Sequence, residues 1–169
     1  MGINRCRLPA GMGGHMSLVV RQATTDDLEA YIPMARNFLA STPMGNVVPF
    51  DEPAFRGFYK NAMENPDLGA WIAEDDGQPI GMAGAIVFPM YFNPNFISAQ
   101  ETWWWLEPTA RGNGVGKILY QEIEKWAAER GAKALIMVAL ENEKTSQFAN
   151  LYARQGYKPM ERSFFREVA

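Results

Sequence analysis

Between residues 102 and 130 the chain passes through three contrasting stretches. An aromatic run, Thr102-Trp103-Trp104-Trp105-Leu106-Glu107-Pro108, leads through Arg111-Gly112-Asn113-Gly114-Val115-Gly116 into a segment with apolar residues at helical spacing. Three glycines at alternate positions strip side chains from the backbone where a helix begins. Several N–H groups are then free to converge on an anion at the positive end of the helix dipole. Strand, glycine turn and helix N-terminus together form a cradle for a pyrophosphate.

Spacing separates the kinds of cradle. A Walker loop needs Gly-x-x-x-x-Gly-Lys-Ser/Thr, but Gly112 lies one residue too close and Ile118 stands where the hydroxyl residue belongs. A dinucleotide fingerprint reads Gly-x-Gly-x-x-Gly in the first strand–helix–strand unit. Here the order is Gly-x-Gly-x-Gly in mid-chain. The plain alternative is a glycine turn that only joins a strand to a helix.

The rest of the pattern reads as a mixed sheet flanked by helices. Residues 17–22 alternate and suit a first strand. Thr24 to Asp27 supply helix caps ahead of Leu28, Tyr31, Ile32, Ala35, Phe38 and Leu39 at helical spacing. A loop spans residues 43–49, and a second helix starts near Pro53, with Phe55, Phe58, Tyr59 and Met63 on one face. Asp75-Asp76-Gly77-Gln78 marks a hairpin between strands at 70–74 and 80–88. Residues 89–95 read as a proline-interrupted loop, and 100–106 as a central strand. Val115, Leu119, Ile123, Trp126 and Ala127 then form one helical stripe that Gly131 stops. Residues 133–140 are the apolar run of a buried parallel strand. The unit 100–140 is therefore strand, helix, strand with a right-handed crossover. A helix over 145–155 closes at Gly156, and Tyr157 and residues 164–168 read as late strands.

Composition narrows the function. The chain has 169 residues and a net charge of −3, enough for one compact domain and poorly suited to nucleic acid, which needs a clustered basic surface. No apolar run reaches the roughly 20 residues that span a membrane. The one cysteine, Cys6, and the one histidine, His15, both lie in residues 1–16, which lack periodicity. That segment reads as a flexible leader or an artificially appended extension, and residues 17–169 as a single domain. No disulfide framework and no metal site are expected, and the setting reads as cytoplasmic. Acid–base chemistry in the domain falls to Glu, Asp, Tyr or water.

Arg111-Gly112-Asn113-Gly114-Val115-Gly116 after Pro108, together with Leu151-Tyr152-Ala153-Arg154-Gln155-Gly156-Tyr157, resembles the GNAT acyltransferase superfamily. The family's signatures are Gln/Arg-x-x-Gly-x-Gly/Ala and Leu-Tyr-x-x-x-Gly-Phe, and element order agrees from residue 17 to about 168. The resemblance implies an α/β fold with a mixed, mostly antiparallel sheet of six to seven strands. It also implies helices on both faces and fourth and fifth strands splayed by a bulge. Its activity would be direct transfer of an acetyl group from acetyl-CoA to a primary amine, on a small molecule, a protein N-terminus or a lysine. Monomer or homodimer both fit.

The same resemblance implies roles for residues. The amides of Gly112, Asn113, Gly114, Val115, Gly116 and Lys117 would bind the pyrophosphate of coenzyme A, with charge from Arg111 and Lys117. The main chain of Leu106 would hold the pantetheine arm, and the Trp105 amide would stabilise the tetrahedral oxyanion. Tyr152 matches the tyrosine that protonates the leaving thiolate. Glu101 stands near the strand position of a catalytic glutamate and would deprotonate the amine, directly or through water. Where the family often carries an Asn on coenzyme A, this chain has Thr145, with Asn142 three residues earlier; either would supply that contact.

Strict alternation puts Glu101, Trp103, Trp105 and Glu107 on one face, a phase that a bulge would reset. Glu107 is expected to cap the turn. The tryptophan run reads either as a substrate wall or as core on both faces of the strand. With no cysteine or histidine in the domain, no acyl-enzyme forms on the usual nucleophiles. The competing readings are an acyl-CoA-binding sensor without catalysis and, further off, a peptide-binding adaptor.

Overall fold

A computed structural model of the chain describes residues 18–141 and 145–168. They fall into two compact units, one ending at Val138 and one beginning at Ala139.

The first unit is built on a five-stranded sheet in sequential order. Strand β1 (Leu18–Gln22) leads through a tight turn into helix α1 (Leu28–Ala40). Asp27 starts that helix by reaching back to the Thr24 amide at 2.7 Å, and Arg21 clamps the same carboxylate together with Glu74. Helix α2 (Glu52–Glu64) is capped by Asp51, whose side chain accepts from the Ala54 amide. Strands β2 (Leu68–Asp75) and β3 (Gln78–Met90) are joined at Asp76 and Gly77. Both of these residues have positive φ, the geometry that a two-residue hairpin demands.

Strand β4 (Asn93–Leu106) pairs antiparallel with β3, and helix α3 (Val115–Glu129) carries the chain over to β5 (Ala134–Ile136), which is parallel to β4. α3 covers one face through Leu119, Ile123 and Trp126 against Ala85, Ala99 and Trp104. α1 and α2 cover the other through Tyr31, Met34 and Tyr59 against Ile72, Met82, Trp103 and Trp105. The expected mixed, mostly antiparallel sheet with helices on both faces is what the chain forms.

Three details differ from the sequence reading. Residues 89–95 form the end of a long hairpin in which Pro89 pairs with Ile97 and Met90 with Asn93, not a loop. β2 stops pairing at Ile86, so the missing amide of Pro89 interrupts no ladder on that side. The apolar run 133–140 is strand only over three residues, because β4 and β5 part after Gln100 and Ile136.

The third difference lies in the second unit. Helix α4 (Thr145–Arg154) stops at Gly156, whose φ is +88°, and the Tyr157 amide returns to the Tyr152 carbonyl at 3.0 Å. Residues 157–168 form no strand, so the sheet has five strands among the described residues and not six or seven. Strand propensity needs a partner ladder to express itself. Here Phe164 and Val168 are exposed, and Arg162 pairs with Glu141 at 2.9 Å.

Candidate active site

The bulge sits in the middle of β4. Ala85 stands opposite Glu101 and Gly84 opposite Trp103, so Thr102 is an extra residue with no partner. Before it, Ile97 and Ala99 face α3; after it, Trp104 and Leu106 face α3, while Trp103 and Trp105 face α1 and α2. The bulge thus takes Glu101 out of phase with Trp103 and Trp105, and the three tryptophans divide between the two cores.

Glu101 is only 5 % exposed. Its carboxylate accepts a hydrogen bond from the Val138 amide at 3.2 Å, just past the point where β5 leaves β4. Burial pushes this carboxyl up to about 7, against a lowering pull from the Val138 amide. A carboxyl held there exchanges protons near neutral pH, as a general base must.

Beyond the bulge the parting leaves one edge of β4 without a strand partner among the described residues. Glu107 donates its amide to the Ile80 carbonyl at 2.9 Å, which makes Glu107 and Ile80 a hydrogen-bonded pair. In an antiparallel ladder such pairs alternate, so Trp105 opposite Met82 also turns its amide toward β3. The amides turned to the open edge are those of Trp104 and Leu106. The Trp105 amide, expected as the oxyanion donor, therefore does not face that edge, because the pleat alternates peptide groups as well as side chains. The Glu107 side chain accepts from the Trp105 indole at 3.1 Å and does not cap the turn; its carbonyl receives the Ala110 amide.

The glycine loop opens α3 as its spacing suggested. Gly112 and Gly114 have φ of +87° and +82°, and a side chain added to either would enter open space. Gly116 lies close against β4, where a Cβ would stand 3.2 Å from the Trp104 ring. Ile118 makes the first intrahelical bond to Gly114 at 3.3 Å, so the amides of Val115, Gly116 and Lys117 precede the helix's own ladder. Val115 is buried, whereas Asn113 and Lys117 are exposed. Positive φ, open space and unclaimed amides fit an anion of pyrophosphate size. Arg111 lies back along the strand, its Nε donating to the Leu106 carbonyl at 3.0 Å and its guanidinium 4.8 Å from the Trp105 ring centre.

In the second unit, Tyr152 lies tilted against Phe148 and Tyr157, with ring centres 6.4 and 5.7 Å away. Thr145 donates its hydroxyl to the Leu140 carbonyl at 2.8 Å. Asn142 lies outside the described residues. Among those described, no cluster of His, Cys, Asp or Glu is placed to hold a metal ion, and no helix is long and apolar enough to cross a membrane.

On the α1 and α2 side of β4 lies a cavity of about 290 Å³ whose lining includes Thr102 and Trp103 of the bulge together with Phe38, Phe50, Phe55 and Phe58. Phe38, Phe55 and Tyr59, which the sequence shows only as residues at helical spacing, line the cavity. Met34 is core, and Tyr91 stands 89 % exposed at the hairpin tip. None of the wall residues could be told from core in the sequence, because helical spacing marks a core face and a cavity wall alike, and Phe50, ahead of α2, carried no signal at all.

The architecture is shared with solved acetyltransferases. A structure of AAC(6')-Iy with a CoA-containing bisubstrate analogue overlays with a TM-score of 0.72 at 20 % identity, covering 92 % of this chain and 99 % of that one. A predicted acetyltransferase from Clostridium acetobutylicum, solved with acetyl-CoA, overlays with a TM-score of 0.70 at 21 % identity over 89 % of this chain and 96 % of that one. In sequence, a phosphinothricin N-acetyltransferase of Streptomyces coelicolor is 26 % identical over 159 residues, 93 % of this chain and 90 % of the relative. The model of the acetyltransferase (GNAT) family matches residues 33–157, and the chain belongs to that family.

Proposed function

We propose that the protein is an N-acetyltransferase moving an acetyl group from acetyl-CoA directly to a primary amine, with Glu101 as general base and Tyr152 as general acid. The observation that carries this reading is Glu101 itself. It is a buried carboxyl poised at about 7, on the strand that ends in the glycine cradle and next to that strand's unpaired edge. The relatives solved with coenzyme A or acetyl-CoA support the donor, and those named for aminoglycoside and phosphinothricin acetylation support an amine acceptor.

The cradle amides from Gly112 to Lys117 hold the pyrophosphate at the helix N-terminus, with Lys117 adding charge. Thr145 or Asn142 contributes a further contact to the coenzyme. The Leu106 amide holds the pantetheine arm along the open edge. The Trp104 amide, nearer Glu101, faces the thioester carbonyl. Glu101 takes a proton from the incoming ammonium, directly or through water, and the freed nitrogen attacks the carbonyl carbon. As the C–N bond forms, the carbonyl oxygen becomes an oxyanion held by that amide. Collapse breaks the C–S bond, Tyr152 protonates the thiolate, and the second amine proton restores Tyr152.

Free-thiol release from acetyl-CoA across a panel of primary amines, paired with calorimetry of coenzyme A binding, tests the reading. Amine-dependent thiol release is expected. Coenzyme binding without release against any amine favours the non-catalytic sensor, and absence of coenzyme binding ends the assignment.

A further inference from the structure

We infer that the acceptor is a primary amine carried on a short arm from a phenyl-sized aromatic group, which seats in the cavity beside the bulge. This rests on the acetyltransferase reading above and narrows its acceptor. Three observations on that cavity carry it.

Size comes first. About 290 Å³ exceeds the roughly 150 Å³ that admits a benzene ring in a protein core. A single aromatic group with a short arm therefore fits.

Chemistry comes second. The walls are aromatic faces, and the tyrosine hydroxyls among them are already committed to main chain. Tyr31 donates to the Trp71 carbonyl at 2.6 Å and Tyr59 to the Thr24 carbonyl at 2.8 Å. Asp51 spends one carboxylate oxygen on the Ala54 amide. Nearby, Arg36 is held over the Phe50 ring at 5.2 Å and paired to Glu52 at 2.9 Å, so Glu52 is already neutralised. Thr102, the second oxygen of Asp51 and the buried, unpartnered Trp103 indole N–H are then the polar side-chain groups left over among the lining residues. A polyamine or aminoglycoside would bring several ammonium and hydroxyl groups against rings that cannot replace their water. An aromatic group loses nothing polar on entry and gains ring contacts.

Position comes third. The floor is Thr102 and Trp103, the two residues that follow Glu101 at the bulge. Phe58 stands edge-on to Trp103 at 6.0 Å and is 46 % exposed, forming a lip over that floor. A ring lying between them sits within two residues of Glu101 along β4, although the Glu101 side chain stands out of phase with Trp103.

The test compares kcat/KM for 2-phenylethylamine, ethylamine, spermidine and an aminoglycoside, with coenzyme A calorimetry alongside. We expect 2-phenylethylamine to exceed ethylamine by about 100-fold or more and to exceed both polycations. Phe58→Ala, a change at an exposed ring, should cut the preference for 2-phenylethylamine over ethylamine about tenfold while coenzyme A affinity holds. Equal or better use of ethylamine, spermidine or the aminoglycoside overturns the aromatic acceptor and leaves the acetyltransferase standing. Failure to bind coenzyme A, or binding without thiol release from any amine, overturns both.

Discussion

Glu101 and Val138 meet where the sheet opens. The carboxylate takes the Val138 amide at 3.2 Å, a group that continued strand pairing would have given to a backbone carbonyl. The bond fixes the carboxyl at the mouth of the parting, and burial keeps its proton affinity near neutrality. For a base, the active form lies above that value. We therefore expect kcat/KM to rise through about pH 7, with a second rise at higher pH as the free amine titrates. Glu101→Gln should lose about 100-fold or more in kcat and keep only the second rise. A limb near neutrality that survives in Glu101→Gln would remove Glu101 from the base role.

The same burial makes a stability prediction of opposite sense. Folding raises the Glu101 pKa from 4.5 to about 7, so the folded state holds the proton more tightly. That contribution is full below pH 4.5 and is lost as pH rises through about 7. Glutamine, an uncharged near-isostere, does not titrate. Relative to the parent protein, Glu101→Gln should gain stability by about 3 kcal/mol between pH 4 and pH 8. Urea unfolding at both pH values reads the difference, and a gap that stays constant with pH refutes it.

Gly114 should matter for two separable reasons. Its φ of +82° is left-handed and its missing Cβ leaves open space at the start of α3. Gly114→Val adds the left-handed penalty, about 1–2 kcal/mol, and puts a side chain into the cradle. Gly114→Asn tolerates the conformation but still fills the space. Both variants should weaken coenzyme A binding tenfold or more by calorimetry, whereas only the valine should lower the unfolding midpoint markedly. Undiminished binding in both would remove the loop from the coenzyme site.

Tyr152→Phe removes a hydroxyl and keeps the ring that packs against Phe148 and Tyr157. If Tyr152 protonates the thiolate, kcat falls about 100-fold or more with coenzyme A affinity unchanged. A leaving group that needs no proton help should recover much of that loss, so an acyl donor with a more acidic thiol separates proton donation from packing. Turnover equal to the parent with acetyl-CoA would exclude the role.

What was legible in the sequence was local. Gly112 and Gly114 announce positive φ because few other residues adopt it, and Asp76-Gly77 announces its hairpin for the same reason. The stripe Leu119, Ile123 and Trp126 is amphipathic whatever it packs on. The bulge at Thr102 was not readable, because an extra residue exists only relative to a partner strand. Everything downstream of it was therefore uncertain: which face Glu101 shares, which way the Trp105 amide points, and how the tryptophans divide. Tyr157 and residues 164–168 mislead in the opposite way, since they read as strands and no ladder completes them among the described residues. The cavity escaped because Phe55 and Phe58 sit at core spacing, and only the packed structure shows the space before them.

That space depends on a residue with no side chain. Gly84 stands opposite Trp103 across the bulge, and the indole lies where a Gly84 Cβ would be. Gly84→Ala must push the indole toward the cavity it floors or strain the β3–β4 pairing, because packed interiors have no slack for an added methyl. Overpacking of this kind costs about 1–3 kcal/mol, which urea unfolding measures. Displacement of Trp103 should also alter the near-ultraviolet circular dichroism. The kinetic consequence is selective: KM for the amine rises several-fold or more, while coenzyme A affinity, which the proposed cradle at the α3 N-terminus would set, is retained. Equal losses for both substrates would show that the substitution disorders β4 as a whole, and would detach the cavity floor from acceptor binding.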